Sequence, residues 1–228
     1  MHDLINTMKI FLDTADTNSI QKHFATGLID GVTTNPTLIM KSGRKPEDVY
    51  QELKDIGITD ISMEVVGGFE QMVSEARRLH SKFGDCCTIK VPCTSEGLFV
   101  CHELRKDLIR VNVTLIFDAA QAILAAKAGA KYVSPFVGRL DDNSIQGLDL
   151  IKSISQIFRV QNVYDTEILS ASIRDVKSVS QSFANGANIV TIPPIVFKKM
   201  YNHVLTDKGL ELFDHDWASV LSETTGLP

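Results

Sequence analysis

Basic charge, long apolar runs and paired cysteines are all scarce in this chain. Of its 228 residues, 23 are Lys or Arg and 28 are Asp or Glu, which leaves a formal net charge of -5. That balance argues against a general nucleic-acid surface, while a local basic pocket stays open. No apolar run approaches the roughly 20 residues needed to span a bilayer. The stretch Met1-His2-Asp3-Leu4-Ile5-Asn6-Thr7 lacks the basic and apolar regions of a signal peptide, so a cytoplasmic protein is expected. Cys86, Cys87, Cys93 and Cys101 gather around one strand and the helix after it. Adjacent Cys86 and Cys87 point to opposite faces of a strand. A disulfide framework does not fit, and a reducing compartment does. Cys93 with Cys101 lacks the recurring ligand pairs of a zinc site, so no metal is expected. Linkers, low-complexity tracts and shifts of composition are absent too. With 44% hydrophobic and 22% charged residues, the expectation is one globular domain over 1–228, with 205–228 as a helical tail.

What is present is a repeat. Short apolar runs alternate with helical patterns about eight times. The strands are expected at Ile10–Asp13, Gly31–Asn35, Asp60–Val66, Cys86–Pro92, Arg110–Ile116, Tyr132–Val137, Glu167–Ser172 and Asn188–Ile192. Between them lie segments such as Phe69–Phe83, Ala119–Ala128 and Asp175–Ala184, with helical apolar spacing or alanine-rich composition. A spacing of roughly 20 to 30 residues is that of a βα unit. Eight such units in one domain indicate a compact (β/α)8 TIM barrel with an additional C-terminal helix. The last segment, Asp207–Leu221, reads as amphipathic and falls outside the repeat.

One of these strands carries a residue that does not belong in an apolar run. Lys90 stands in Cys86-Cys87-Thr88-Ile89-Lys90-Val91-Pro92, just before a loop and a helix capped by Thr94. Desolvating an ammonium is costly. Burial also favours the neutral amine, the form that attacks a carbonyl to give a Schiff base. The alternative is a lysine snorkelling from an edge strand. The other strands decide between them. Asp13, Thr33, Asn35, Glu64, Asn112, Thr114, Ser134, Ser170 and Ser172 are polar residues near strand C-terminal ends, where barrels keep their active sites. Alternation places Thr33 with Asn35, Asn112 with Thr114, and Ser170 with Ser172 on common faces. Strands of a parallel barrel are normally apolar on both faces. A ring of polar residues holding one lysine and two carboxylates therefore reads as an active site. Lys90 is its nucleophile, and Asp13 or Glu64 moves protons; the helix cap after the first strand fits Asp16 better than Asp13. Arg139 and Arg174, on the loops after strands six and seven, join Ser172 as a phosphate pocket.

These stretches resemble the transaldolase family, in its short single-domain branch that includes the fructose-6-phosphate aldolases. The resemblance is carried by Phe11-Leu12-Asp13-Thr14-Ala15-Asp16, Val32-Thr33-Thr34-Asn35-Pro36, Ile89-Lys90-Val91-Pro92, Asn112-Val113-Thr114, Ser134-Pro135-Phe136-Val137-Gly138-Arg139 and Ala171-Ser172-Ile173-Arg174. It implies that Lys90 forms a Schiff base with a ketose and that Asp13 takes the C4 hydroxyl proton. Glu64 would act through a water held with Thr114. Asn35, Asn112 and Ser134 would hold the dihydroxyacetone hydroxyls, and Arg139, Ser172 and Arg174 the phosphate. No cofactor is implied. Sugar phosphates are the implied partners, with a homo-oligomer, a decamer of two pentamers, built through the C-terminal segment around Trp217. The alternative for that segment is a helix closing its own barrel bottom. In this branch the aldolases carry Gln, Leu and Tyr where this chain has Glu64, Asn112 and Phe136. The implied activity is therefore dihydroxyacetone transfer in the pentose phosphate pathway. The alternatives are an aldolase releasing free dihydroxyacetone and a non-catalytic sugar-phosphate-binding barrel.

Overall fold

The computed structural model describes residues 8–225; the stretch read for a signal peptide and the last three residues of the tail lie outside the described residues. The strands are β1 (Lys9–Asp13), β2 (Gly31–Thr33), β3 (Ile61–Glu64), β4 (Cys87–Pro92), β5 (Val111–Ile116), β6 (Tyr132–Pro135), β7 (Glu167–Ser170) and β8 (Ile189–Ile192). The helices are α1 (Thr17–Phe24), α2 (Pro36–Ser42), α3 (Pro46–Ile56), α4 (Phe69–Phe83), α5 (Ser95–Lys106), α6 (Ala119–Ala128), α7 (Val137–Asp141), α8 (Gly147–Val160), α9 (Val176–Ala184), α10 (Pro194–Lys199) and α11 (Val204–Thr225). Every strand pairs in parallel with its sequence neighbour, and β1 pairs with β8 to close the barrel. This is a (β/α)8 barrel followed by an extra C-terminal helix.

Local chemistry sets the helix ends. Asp16, Asn35, Thr94, Asp118 and Asp175 each accept a backbone N–H from the first turn of the helix they precede, satisfying donors that the helix leaves open. Gly129 ends α6 in the left-handed region, at φ +93°.

Two apolar layers result. Outward strand residues such as Leu12, Val32, Met63, Ile89 and Val113 pack against helix residues such as Ile20, Leu53, Leu79 and Leu104. Inside the barrel, Phe11, Tyr132, Leu169, Ala171 and Ile189 form a second, smaller cluster. The Phe11 ring meets Tyr132 edge-on at 6.2 Å. It fits because residue 31 is glycine: a Cβ there would lie 2.7 Å from two Phe11 ring carbons. At the N-terminal ends of the strands, buried Asp60 accepts from Thr88 Oγ1 at 2.8 Å and from the Tyr132 hydroxyl at 2.6 Å, and it pairs with Arg110 at 3.1 Å. These buried charges are thereby paired.

Three expectations and one alternative need correction. Asn35 is not a strand residue: β2 ends at Thr33, and Asn35 caps α2, a helix absent from the sequence reading. Pro36 begins that helix because its missing N–H costs nothing in the first turn. Strand six stops at Pro135, and Val137–Asp141 is helical. Ser170 and Ser172 do not share a face. The Ser170 hydroxyl turns outward to Ser182 on α9, at 2.9 Å, and Ser172 lies past the strand end with φ +60°. Finally, α11 does not close the barrel bottom, because every residue from 204 to 221 except Gly209 is exposed. All four cysteines are free thiols. Among the described residues, no helix is long and apolar enough to cross a membrane.

Candidate active site

Parallel register aligns the site. Glu64 on β3 stands beside Lys90 on β4, and Lys90 beside Asn112 on β5. Lys90 is 6% exposed. Its Nζ donates to the Thr34 carbonyl at 3.0 Å and lies 3.1 Å from Glu64 Oε2. Thr34 is the first residue beyond β2, and its N–H bonds the Ser62 carbonyl. Its own carbonyl thus sits where the β2–β3 ladder stops, and it accepts from the amine. The Lys90 amine thus has two acceptors within reach, one carboxylate and one carbonyl.

Asp13 closes the other side. The Thr33 hydroxyl donates to Asp13 Oδ1 at 2.9 Å and lies 2.6 Å from the Thr191 hydroxyl. A hydroxyl has one hydrogen, so with Thr33 donating to Asp13, Thr191 donates to Thr33. Burial pushes the Asp13 carboxyl above its ordinary value; the Lys90 charge and the Thr33 hydrogen bond pull it back, and the Glu64 charge pushes it up again. Asn112 is fixed by two neighbours: its Nδ2 donates to Ser62 Oγ at 3.2 Å, and its Oδ1 accepts from Ser134 Oγ at 2.7 Å. Thr114 Oγ1 is different. It is buried and has no hydrogen-bond partner, although it lines the same cavity as Lys90. A buried hydroxyl left open in this way is a place for a water or a substrate oxygen.

The cavity has a volume of about 110 Å³ and opens at the C-terminal end of the barrel. Asp13, Thr33, Asn35, Lys90, Asn112, Thr114, Ser134, Phe136, Arg139 and Ser172 all line it. Glu64 joins through an adjoining lobe shared with Lys90, Thr114, Phe136 and Arg139. Phe136 packs edge-on against Phe117 at 5.8 Å, and the Arg139 guanidinium stands 4.9 Å from the Phe136 ring centre. Arg174 is the exception. It does not line the cavity, and both of its terminal nitrogens pair with Asp142 at the rim. Among the described residues, no group of three or more His, Cys, Asp or Glu side chains is gathered to hold a metal ion.

Two participants were missed in the sequence. Thr191 was legible as a polar residue inside the apolar run Ile189–Ile192. The Thr34 carbonyl was not, because a main-chain acceptor leaves no mark on residue type.

Residues 10–224 match the family described as Transaldolase/Fructose-6-phosphate aldolase. The chain belongs to the transaldolase/fructose-6-phosphate aldolase family. It is 50% identical over 213 residues to a "Probable transaldolase" of Caulobacter vibrioides, covering 93% of this chain and 97% of that one. It is 49% identical over 217 residues to a "Probable transaldolase" of Nitrosopumilus maritimus, covering 95% and 97%. A third "Probable transaldolase", from Hyphomonas neptunium, is 51% identical over 207 residues, covering 90% and 95%. The family match runs from the second residue of β1 into α11, the cavity residues included.

Proposed function

We propose that this protein is a transaldolase that moves a dihydroxyacetone unit between sugar phosphates through a Schiff base on Lys90. The reaction is sedoheptulose 7-phosphate plus glyceraldehyde 3-phosphate to erythrose 4-phosphate plus fructose 6-phosphate. The observation that carries this is the Lys90 amine, buried beside Glu64 at 3.1 Å and sharing its cavity with Asp13.

Glu64 takes a proton from the Lys90 ammonium, and the amine adds to the ketose C2 carbonyl. The carbinolamine hydroxyl leaves as water when Glu64 returns the proton, which gives an iminium. Asp13 takes the C4 hydroxyl proton, the C3–C4 bond breaks, and its electron pair passes into the iminium to form an enamine. The aldose phosphate departs. An acceptor aldehyde is then attacked by the enamine, Asp13 gives its proton to the new alkoxide, and water releases the new ketose. Thr114 Oγ1 has room for one hydrogen bond to the water that Glu64 makes and uses. Asn35, Asn112 and Ser134 hold the three-carbon hydroxyls, and Arg139 and Ser172 hold the phosphate. Arg174 reaches the phosphate by exchanging Asp142 for it; surface ion pairs of this kind hold only weakly.

Transfer is favoured over release of free dihydroxyacetone by Phe136. Its ring lines the cavity and offers no hydroxyl to position a water that would protonate the enamine. The protein is further proposed to work as a homo-oligomer, a decamer of two pentamers, with the exposed α11 as the contact.

Borohydride added with fructose 6-phosphate should fix one adduct, at Lys90, read by peptide mass. Lys90→Ala should lose both the adduct and turnover. Fructose 6-phosphate should yield product only when erythrose 4-phosphate or another aldehyde acceptor is present. An adduct on a different residue ends the proposal, and free dihydroxyacetone without acceptor moves it to the aldolase reading.

A further inference from the structure

Glu64 faces two spaces. One is the lobe of the barrel mouth that holds Lys90 and Thr114. The other is a lateral cavity of about 750 Å³ that runs between α2, α3 and α4. The two share Asn35, Pro36 and Glu64. The walls of the lateral cavity are apolar near its inner end, with Ile39, Tyr50 and Leu79. Glu47, Glu75 and Lys82 mark its outer edge, where Arg78 and Lys82 both pair with Glu47. Met40 and Val66 form its exposed lip, at 73% and 68% exposure. Tyr50 is buried, lies 3.5 Å from Thr34 Oγ1 and touches the Glu64 backbone; burial raises its pKa, so the phenol stays protonated.

Chemistry gives such a space a use. Forming the iminium expels one water beside Glu64, and releasing the product consumes one. During both steps a sugar phosphate held as proposed by Arg139 and Ser172, which line the 110 Å³ cavity, would fill the barrel mouth. Water made beneath the substrate needs another way out.

We infer that the cavity between α2, α3 and α4 is a lateral water port to Glu64, which lets the water of Schiff-base formation exchange with solvent while substrate closes the barrel mouth. The inference rests on the Schiff-base reading of Lys90. The balance is simple. The ketose C2 oxygen leaves as water, with one proton from Glu64 and one retained from the carbinolamine hydroxyl. The return reaction places a water oxygen at C2. If the expelled water escapes before return, C2 acquires solvent oxygen; if it is trapped, the original oxygen is restored.

The test is oxygen exchange. Fructose 6-phosphate is incubated with the protein in H2(18)O, and label at C2 is followed by mass spectrometry, with Lys90→Ala giving the uncatalysed background. Transfer to erythrose 4-phosphate is measured in parallel. Wild-type protein should exchange label faster than it transfers. Val66→Trp and, separately, Met40→Trp narrow the port at an exposed lip, where folding is not at risk. Each should lower the ratio of exchange to transfer several-fold, with KM for fructose 6-phosphate unchanged. Val66→Ala should keep the wild-type ratio. An unchanged ratio in both tryptophan variants overturns the port, as does a fall in Val66→Ala, which would mark a packing effect. If wild-type protein gives no borohydride adduct at Lys90, the functional reading fails and takes the port with it. If the adduct forms and the ratio does not move, only the port fails.

Discussion

Asp13 is a carboxylate that the fold disfavours, and that cost is measurable. Its ordinary pKa is 3.8, and burial raises it. An unfolded chain therefore ionises Asp13 at lower pH than the folded protein does. Between those two values the folded state holds the extra proton, so stability falls as pH rises through the window, and above it the full penalty persists. Asp13→Asn removes the charge at nearly constant shape. At neutral pH the variant should be inactive and yet melt higher, by about 2–4 °C for each kcal/mol recovered. The gain should vanish below pH 4, where the wild-type carboxyl is already protonated. A Tm for Asp13→Asn below wild type at pH 7 would show that Lys90 needs this anion more than burial opposes it. Thr33→Val argues the same point through activity. The Thr33 hydroxyl favours the ionised form, so its loss should move the acid limb of kcat/KM to higher pH. The variant should also lose about 1 kcal/mol of stability, because the Thr191 hydroxyl loses its partner. A limb that stays put would remove Asp13 from the role of base.

At the scale of elements, the proposed phosphate end depends on how closely α7 meets the end of β7. Val137 N–H bonds the Ala171 carbonyl at 3.0 Å, and Gly138 N–H bonds the Ser172 carbonyl at 3.1 Å. A Cβ at residue 138 would collide with the Ser172 carbonyl and lie 2.9 Å from Arg174 Nε. Gly138→Ala should therefore push α7, with Arg139, away from Ser172. KM for fructose 6-phosphate should rise roughly ten-fold, or ~1.4 kcal/mol, while borohydride trapping at Lys90 persists. A fall in kcat with KM unchanged would place the effect at the amine instead. This junction also marks where the sequence stops being readable. Lys90, Asp13 and Glu64 stand out because charge inside an apolar strand is rare, and the barrel follows from a repeated period. Helices α2 and α7 do not stand out, since 7 and 5 residues hold too few turns to show a 3.6 period. The pairing of Ser170 with Ser172 rests on alternation. Ser172, at φ +60°, leaves the extended conformation and breaks it. Arg174 reads as a phosphate ligand from its position, but its partner Asp142 lies 32 residues away and nothing local announces it.

The whole molecule leaves one surface unsettled by its own fold. Helix α11 is 22 residues long, roughly 33 Å at 1.5 Å per residue. Leu210, Phe213 and Trp217 recur along it at helical spacing and are 55%, 68% and 64% exposed. An apolar stripe of this length facing water is the mark of an association surface. A second copy of the chain is the occupant proposed above. Light scattering should then give a mass near ten times 25.2 kDa. Emission from Trp217, the chain's one tryptophan, should be that of a buried indole. Replacing Phe213 and Trp217 together by Lys puts two ammonium groups into the contact. Charges without partners at a desolvated interface are strongly unfavourable, so the assembly should fall to smaller species. The barrel's far-ultraviolet dichroism should hold, because neither side chain belongs to its core. Borohydride trapping at Lys90 should survive as well, since a single chain already brings Asp13, Lys90 and Thr114 to one cavity. Wild-type protein that scatters as a 25 kDa particle with solvent-exposed tryptophan emission would rule the assembly out. Loss of trapping on dissociation would mean that a neighbouring copy completes the site.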